Sequence, residues 1–200
     1  MRIISKGRHY TGMEETRRRL PHQYIEGRWL FLTWHLHGSL PQGLYPPPSN
    51  LKGGQAFAWI DRRLDSARHG PTYLRHEEVA RAVRNALWRD RDRGFFDLGP
   101  YVLMPNHVHV LLLPKIPPPK LLQSLKGSSA REANRLLGQS GQAFWQRESY
   151  DHWVRSEAEW ERIAGYIENN PVHAGLAPRP EDYRWSSARQ EDPGSAPPDS

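Results

Sequence analysis

From Trp29 to Leu36 the chain reads WLFLTWHL, a short apolar and aromatic run closed by Gly38-Ser39. Such a run bounded by turn residues predicts a buried strand. Leu40 to Gly54 then holds Pro41, Pro46, Pro47, Pro48, Gly53 and Gly54, which reads as a surface loop because proline at this density supports neither ladder nor helix. Between Gln55 and Arg68 the apolar residues Phe57, Ile60 and Leu64 recur at helical spacing, and His69-Gly70-Pro71 ends the segment. A second helix over His76 to Arg93 is written by Val79, Val83, Ala86 and Leu87, with acids at its start and arginines toward its end. Leu98 to Met104 and His107 to Leu113 predict two strands joined at Pro105-Asn106, hence a hairpin. After the breaker Pro114 to Pro119, Leu121 to Leu137 predicts a third helix stopped by Gly138, and the stretch from Phe144 to Val154 adds a short strand. Ser156 and Glu159 form a capping box that opens a fourth helix, expected to run to about Asn169 because Pro171 interrupts it.

The resulting order is strand, helix, helix, strand, strand, helix, short strand, helix. It predicts an α+β sandwich with helices on one face of a mostly antiparallel sheet. Three regions are expected: a basic N-terminal arm over 1–27, one folded domain over 28–188, and a tail over 189–200 whose composition, EDPGSAPPDS after Arg189, is that of turns and disorder.

Length agrees, since 200 residues suit a single ordinary domain. Charge narrows the choice of partner: 28 basic against 22 acidic residues leave +6, which favours a polyanion such as nucleic acid. Zero cysteines exclude a disulfide framework, a thiolate zinc site, an iron–sulfur cluster and a cysteine nucleophile. The start, MRIISKGRHYTGMEETRRRL, lacks the apolar stretch of a secretory signal, and no run suits a membrane helix, so a cytoplasmic location without membrane contact is expected.

The sharpest local feature is His107-Val108-His109 within an apolar strand. Side chains at i and i+2 leave a strand on one face, so the two imidazoles point together and make half of a divalent metal site. Two buried structural histidines, each with its own hydrogen-bond partner, are the alternative. His35-Leu36-His37 has the same spacing but meets Gly38 at once, so it is read as a fraying strand end with partly solvated histidines. His76-Glu77-Glu78-Val79-Ala80 opens like a zinc-protease helix, but Ala80 stands where the second histidine is required. On the fourth helix Tyr166 and Asn170 are one turn apart, at the edge of the stripe Trp160, Ile163, Ala164 and Ile167. That edge can line a cleft, or simply let a core tyrosine reach water. Together, a metal held by two imidazoles and an amide oxygen can grip a phosphodiester while a phenol attacks the phosphorus.

Four ordered blocks carry a family resemblance: MPNHVHVL (104–111), FWQR (144–147), YIENNPVHAGL (166–176) and WSS (185–187). The chain resembles the REP-associated tyrosine transposases, part of the HUH class of single-strand DNA nucleases. The resemblance implies a ferredoxin-like fold, cleavage and rejoining of single-stranded DNA near REP-like hairpins, and a 5′-phosphotyrosine intermediate. It further implies that His107 and His109 bind the metal, that Asn170 completes its site, that Tyr166 is the nucleophile, and that the ion is Mg²⁺ or Mn²⁺. Lys126 matches a basic position of the family and is expected to touch phosphate. The alternative is a domesticated nucleic-acid-binding protein that has lost catalysis. Two departures stand out: the Pro-rich stretch from Pro41 to Gly54, and His35 where a basic residue such as arginine is more usual.

Further phosphate contacts are expected from Arg17, Arg18, Arg19, Arg62, Arg63 and Arg131. Trp185, beside Tyr183, is read as part of a capping hydrophobic cluster, with base stacking as the alternative. No heptad fixes an oligomeric state, so monomer and homodimer both stand.

Overall fold

The computed structural model describes residues 25–40, 53–66 and 70–189. The arginines at 17–19, most of the Pro-rich stretch and the tail from 190 therefore lie outside the described residues. Four strands, β1 (Leu30–His35), β2 (Phe96–Leu103), β3 (His107–Pro114) and β4 (Tyr150–Trp153), make one antiparallel sheet in the order β2-β3-β1-β4. Four α-helices accompany them: α1 (Gly53–Asp65), α2 (Glu77–Asp92), α3 (Pro118–Leu136) and α4 (Glu157–His173). The architecture is α+β, in the element order expected from the pattern.

The helices occupy both faces of the sheet rather than one. The alternation of β3 explains the division, because a strand buried along nearly its whole length must present apolar side chains in both directions. Val108, Val110 and Leu112 join Leu30, Leu32 and Trp34 of β1 beneath α2 and α3, which add Val79, Val83, Leu87, Leu121 and Leu125. On the other face Phe31, Val102 and Leu111 pack with Ala164 and Ile167 of α4 and with Phe57 of α1.

Two element boundaries differ from expectation for identifiable reasons. Helix α3 begins inside the proline run, with Pro118 at its first position, where the missing N–H has no intrahelical role. Helix α4 does not stop at Asn169 but continues through Pro171 to His173. Its end is closed by a Schellman motif: Leu176 N donates to Pro171 O at 2.8 Å and Gly175 N to Val172 O at 3.0 Å, with Gly175 at φ 68°. These bonds satisfy the last carbonyls of the helix, while the donor that Pro171 lacks leaves one intrahelical bond unmade. The short strand expected within 144–154 is confined to Tyr150–Trp153, while Trp145 makes an isolated bridge to Leu36.

The outer edge of β2 is covered by the segment around Trp185. Leu103 N donates to Trp185 O, and Ser187 N donates to Tyr101 O, both at 2.9 Å. Trp185 is itself buried in the larger core, as a capping residue, with the Arg84 guanidinium 5.3 Å from its ring centre.

Candidate active site

The histidines of β3 lie on the α1/α4 face, fully buried, with their Nε2 atoms 3.0 Å apart. Each ring is oriented through its other nitrogen. His107 Nδ1 donates to Asn106 Oδ1 at 2.7 Å, and His109 Nδ1 is 2.7 Å from Thr33 Oγ1, directly across the ladder on β1. Asn106 also donates through Nδ2 to Leu64 O at 2.9 Å, which ties the end of α1 to the β2–β3 turn.

That tie matters because α1 delivers two carboxylates. Asp61 Oδ1 is 3.2 Å from His109 Nε2 and 4.0 Å from His107 Nε2, and Asp65 Oδ1 is 3.5 Å from His107 Nε2. Asp61 is 4% exposed, yet its Oδ1 accepts no hydrogen bond. Burial, with Asp61 beside it, pushes the Asp65 carboxyl up to about 7. Burial, with His109 next and then His35, holds His107 well below the ordinary imidazole range and therefore neutral.

Asp61, His107 and His109 each offer one ligand atom, all within 4.8 Å of one another. The donor set fits a metal ion on three counts. Both Nε2 atoms face the same point, both Nδ1 atoms have the outer partners that metal-binding histidines use, and a buried carboxylate oxygen has no other partner. Asp61 is absent from the sequence reading, although a signal was present: it lies four residues after Phe57 and three before Leu64, inside the apolar stripe of α1.

Helix α4 places Tyr166 over this cluster. The Tyr166 ring stands edge-on to His109 with centroids 5.6 Å apart, and Phe31 and Phe57 hold it at 6.4 and 5.9 Å. Asn170, one turn on and 1% exposed, donates from Nδ2 to the Tyr166 hydroxyl at 3.3 Å. Its Oδ1 is buried without a partner, the same condition as Asp61 Oδ1. The structure thus brings His107, His109, Tyr166 and Asn170 together and adds Asp61 and Asp65.

Other anticipated residues are placed elsewhere. The Lys126 ammonium donates to the carbonyls of Gln146 and Arg147 and to Ser149 Oγ, at 2.7, 3.0 and 3.0 Å, so it staples the chain before β4. Arg131 is exposed on α3, behind the opposite face of the sheet. Arg62 is exposed on α1, whereas the Arg63 guanidinium lies 3.6 Å from the ring centre of Trp59. His35 is not a frayed end: it is buried, with Nδ1 2.8 Å from Ser39 Oγ, while His37 is exposed.

Against known proteins, the family model described as "Transposase IS200 like" matches residues 72–170, a span that holds His107, His109, Tyr166 and Asn170 but not Asp61. No curated protein matches the sequence significantly. Two solved structures are similar. A REP-associated tyrosine transposase bound to a REP hairpin has 20% identity and a TM-score of 0.48, covering 92% of this chain and 82% of that one. A protein assigned as a transposase from Deinococcus radiodurans has 20% identity and a TM-score of 0.41, covering 84% of this chain and 98% of that one.

Proposed function

The chain belongs to the IS200-like transposase family, and from that premise we propose that it cleaves and rejoins single-stranded DNA next to hairpins through a 5′-phosphotyrosine on Tyr166. The observation that carries the reading is the seating of the Tyr166 ring on His109, with its hydroxyl held by Asn170. A phenol with an ordinary pKa near 10 is a weak nucleophile and needs a site that favours charge transfer to phosphorus. Asp61, His107 and His109 would hold Mg²⁺ or Mn²⁺. When bound, the ion supplies positive charge against the non-bridging phosphoryl oxygens.

The remaining work falls to the chain itself. Asn170 orients the phenol, and the Phe31 and Phe57 rings exclude water from one side of it. In the cleavage step the Tyr166 oxygen bonds to phosphorus, the P–O3′ bond breaks, and the phenolic proton ends on the departing 3′-oxygen. The ester keeps the phosphodiester energy, so a 3′-hydroxyl can reverse the attack and join strands without a nucleotide cofactor.

End-labelled hairpin DNA mixed with the protein and Mn²⁺ is expected to leave label on the polypeptide in a denaturing gel. Tyr166→Phe is expected to leave none. Adduct of wild-type intensity from that variant would show that Tyr166 is not the nucleophile.

A further inference from the structure

Beyond the Tyr166 cluster, a groove of about 550 Å³ lies on the other face of the sheet, between α3 and the chain leading into β4. Leu122 and Trp145 give it apolar walls, and Asp151 lies within it. Asp151 sits opposite Leu32 in the β1–β4 ladder, so its side chain leaves on the face away from the histidines. One carboxylate oxygen, Oδ1, is sealed from water and accepts no hydrogen bond, and no cation among the described residues pairs with the group. Burial lifts this carboxyl to about 6, which is the expected response of an acid left without a donor.

Lys126 lines the same groove, but its ammonium is held by the 146 and 147 carbonyls and by Ser149. Asp151 is only half-buried, so its carboxylate meets the groove through the oxygen other than Oδ1, an acceptor suited to a flat group carrying N–H donors. Arg147, by contrast, is exposed at the lining and is placed to meet a phosphate outside. A guanidinium outside can position a phosphate while an acid within specifies the base attached to it.

Among the bases one matches a carboxylate best. Guanine offers two adjacent donors, N1–H and the N2 amino group, on its pairing edge. The amino groups of adenine and cytosine adjoin a ring acceptor there, and the thymine N3–H is flanked by two carbonyls, so each sets a repulsive oxygen or nitrogen against the acid. We propose that the groove takes one guanine base of the single strand, with the Asp151 carboxylate accepting from N1–H and N2–H through the oxygen that is not sealed, and with Trp145 and Leu122 covering its apolar parts. This rests on the reading of the chain as a single-strand DNA enzyme and names a base that it reads. The route is short, because β4 is the outer strand on that side of the sheet. Its consecutive residues Tyr150 and Asp151 project to opposite faces, and Tyr150 packs on Phe31 and Phe57 in the Tyr166 cluster. A strand crossing that edge passes from the groove to the nucleophile.

Anisotropy of labelled oligothymidine carrying a single guanine, measured with a chelator present, tests the proposal without any cleavage. The guanine strand is expected to bind about tenfold more tightly than the same strand with inosine, which lacks the N2 amino group, or with adenine. Asp151→Asn is expected to bring the three strands within about twofold of one another. Equal binding of guanine and inosine strands by the wild-type protein overturns the proposal, and that comparison stands whether or not the variant folds. Discrimination that survives in a folded Asp151→Asn protein also overturns it. Adduct at Tyr166 without base discrimination removes the groove reading alone, whereas discrimination without adduct removes the catalytic reading and keeps the groove.

Discussion

The two faces of the sheet are made by the same strands and filled in opposite ways. Beneath α2 and α3, alternate residues of β1 and β3 supply Leu30, Leu32, Trp34, Val108, Val110 and Leu112 to the larger apolar cluster. Beneath α1 and α4, the intervening positions supply Thr33, His35, His107 and His109, all buried, together with Asp61 and Asn170 from the helices. On that second face, Asp61, Asp65 and Asn170 each hold a buried oxygen that no hydrogen bond satisfies. Unsatisfied buried acceptors are unfavourable, and a domain tolerates them where other regions supply its stability and where a ligand completes them. Stability and the metal-binding group are thus drawn from neighbouring residues of the same strands that point in opposite directions, with Asp151 the exception on the first face.

The two faces are expected to separate most at Asp61. Asp61→Ala is expected to reduce Mn²⁺-dependent adduct formation on the order of a thousandfold, about 4 kcal/mol of activation free energy, with little loss of resistance to urea. A variant that cleaves as well as wild type would remove Asp61 from the metal site. The converse test is Leu112→Ala on the apolar face. It deletes a fully buried side chain and is expected to cost about 3 kcal/mol of unfolding free energy while Mn²⁺ affinity, measured by calorimetry, stays within about twofold. Equal damage to both properties would mean that the faces are not separable.

Acid gives a smaller, graded contrast. Burial lowers His35 from its ordinary 6.5 to about 4, so the unfolded chain takes up the proton first as pH falls. The stability associated with neutral His35 is present above pH 6.5 and is lost progressively down to about pH 4, at most about 3 kcal/mol. Urea midpoints across that window are expected to fall less steeply in His35→Gln. Leu112→Ala is expected to shift the whole curve downward with its slope unchanged. An unaltered slope in His35→Gln would assign the acid sensitivity to other groups.

Much of this was legible from local pattern. The i, i+2 spacing of His107 and His109 on a strand and the i, i+4 spacing of Tyr166 and Asn170 on a helix are short-range facts, and they specified which side chains share a face. Asp61 was not legible in the same way. An acid inside the apolar stripe of a helix is a local anomaly, but only the fold shows that the Asn106 link to Leu64 turns Asp61 toward a strand more than forty residues away. Lys126 shows the reverse case, because a basic residue at a familiar position became a brace for the chain before β4. Pro171 signals a stop in sequence, and only the structure shows the helix continuing past the missing donor to a C-terminal cap.

The active-site cluster draws on α1, then β3, then α4, in the order in which a ribosome releases them. A chain that has emerged only as far as β3 contains Asp61, His107 and His109 while still lacking Tyr166. If Tyr166 is the nucleophile proposed above, a polypeptide that stops short of α4 carries the candidate metal ligands without the group that would attack phosphorus.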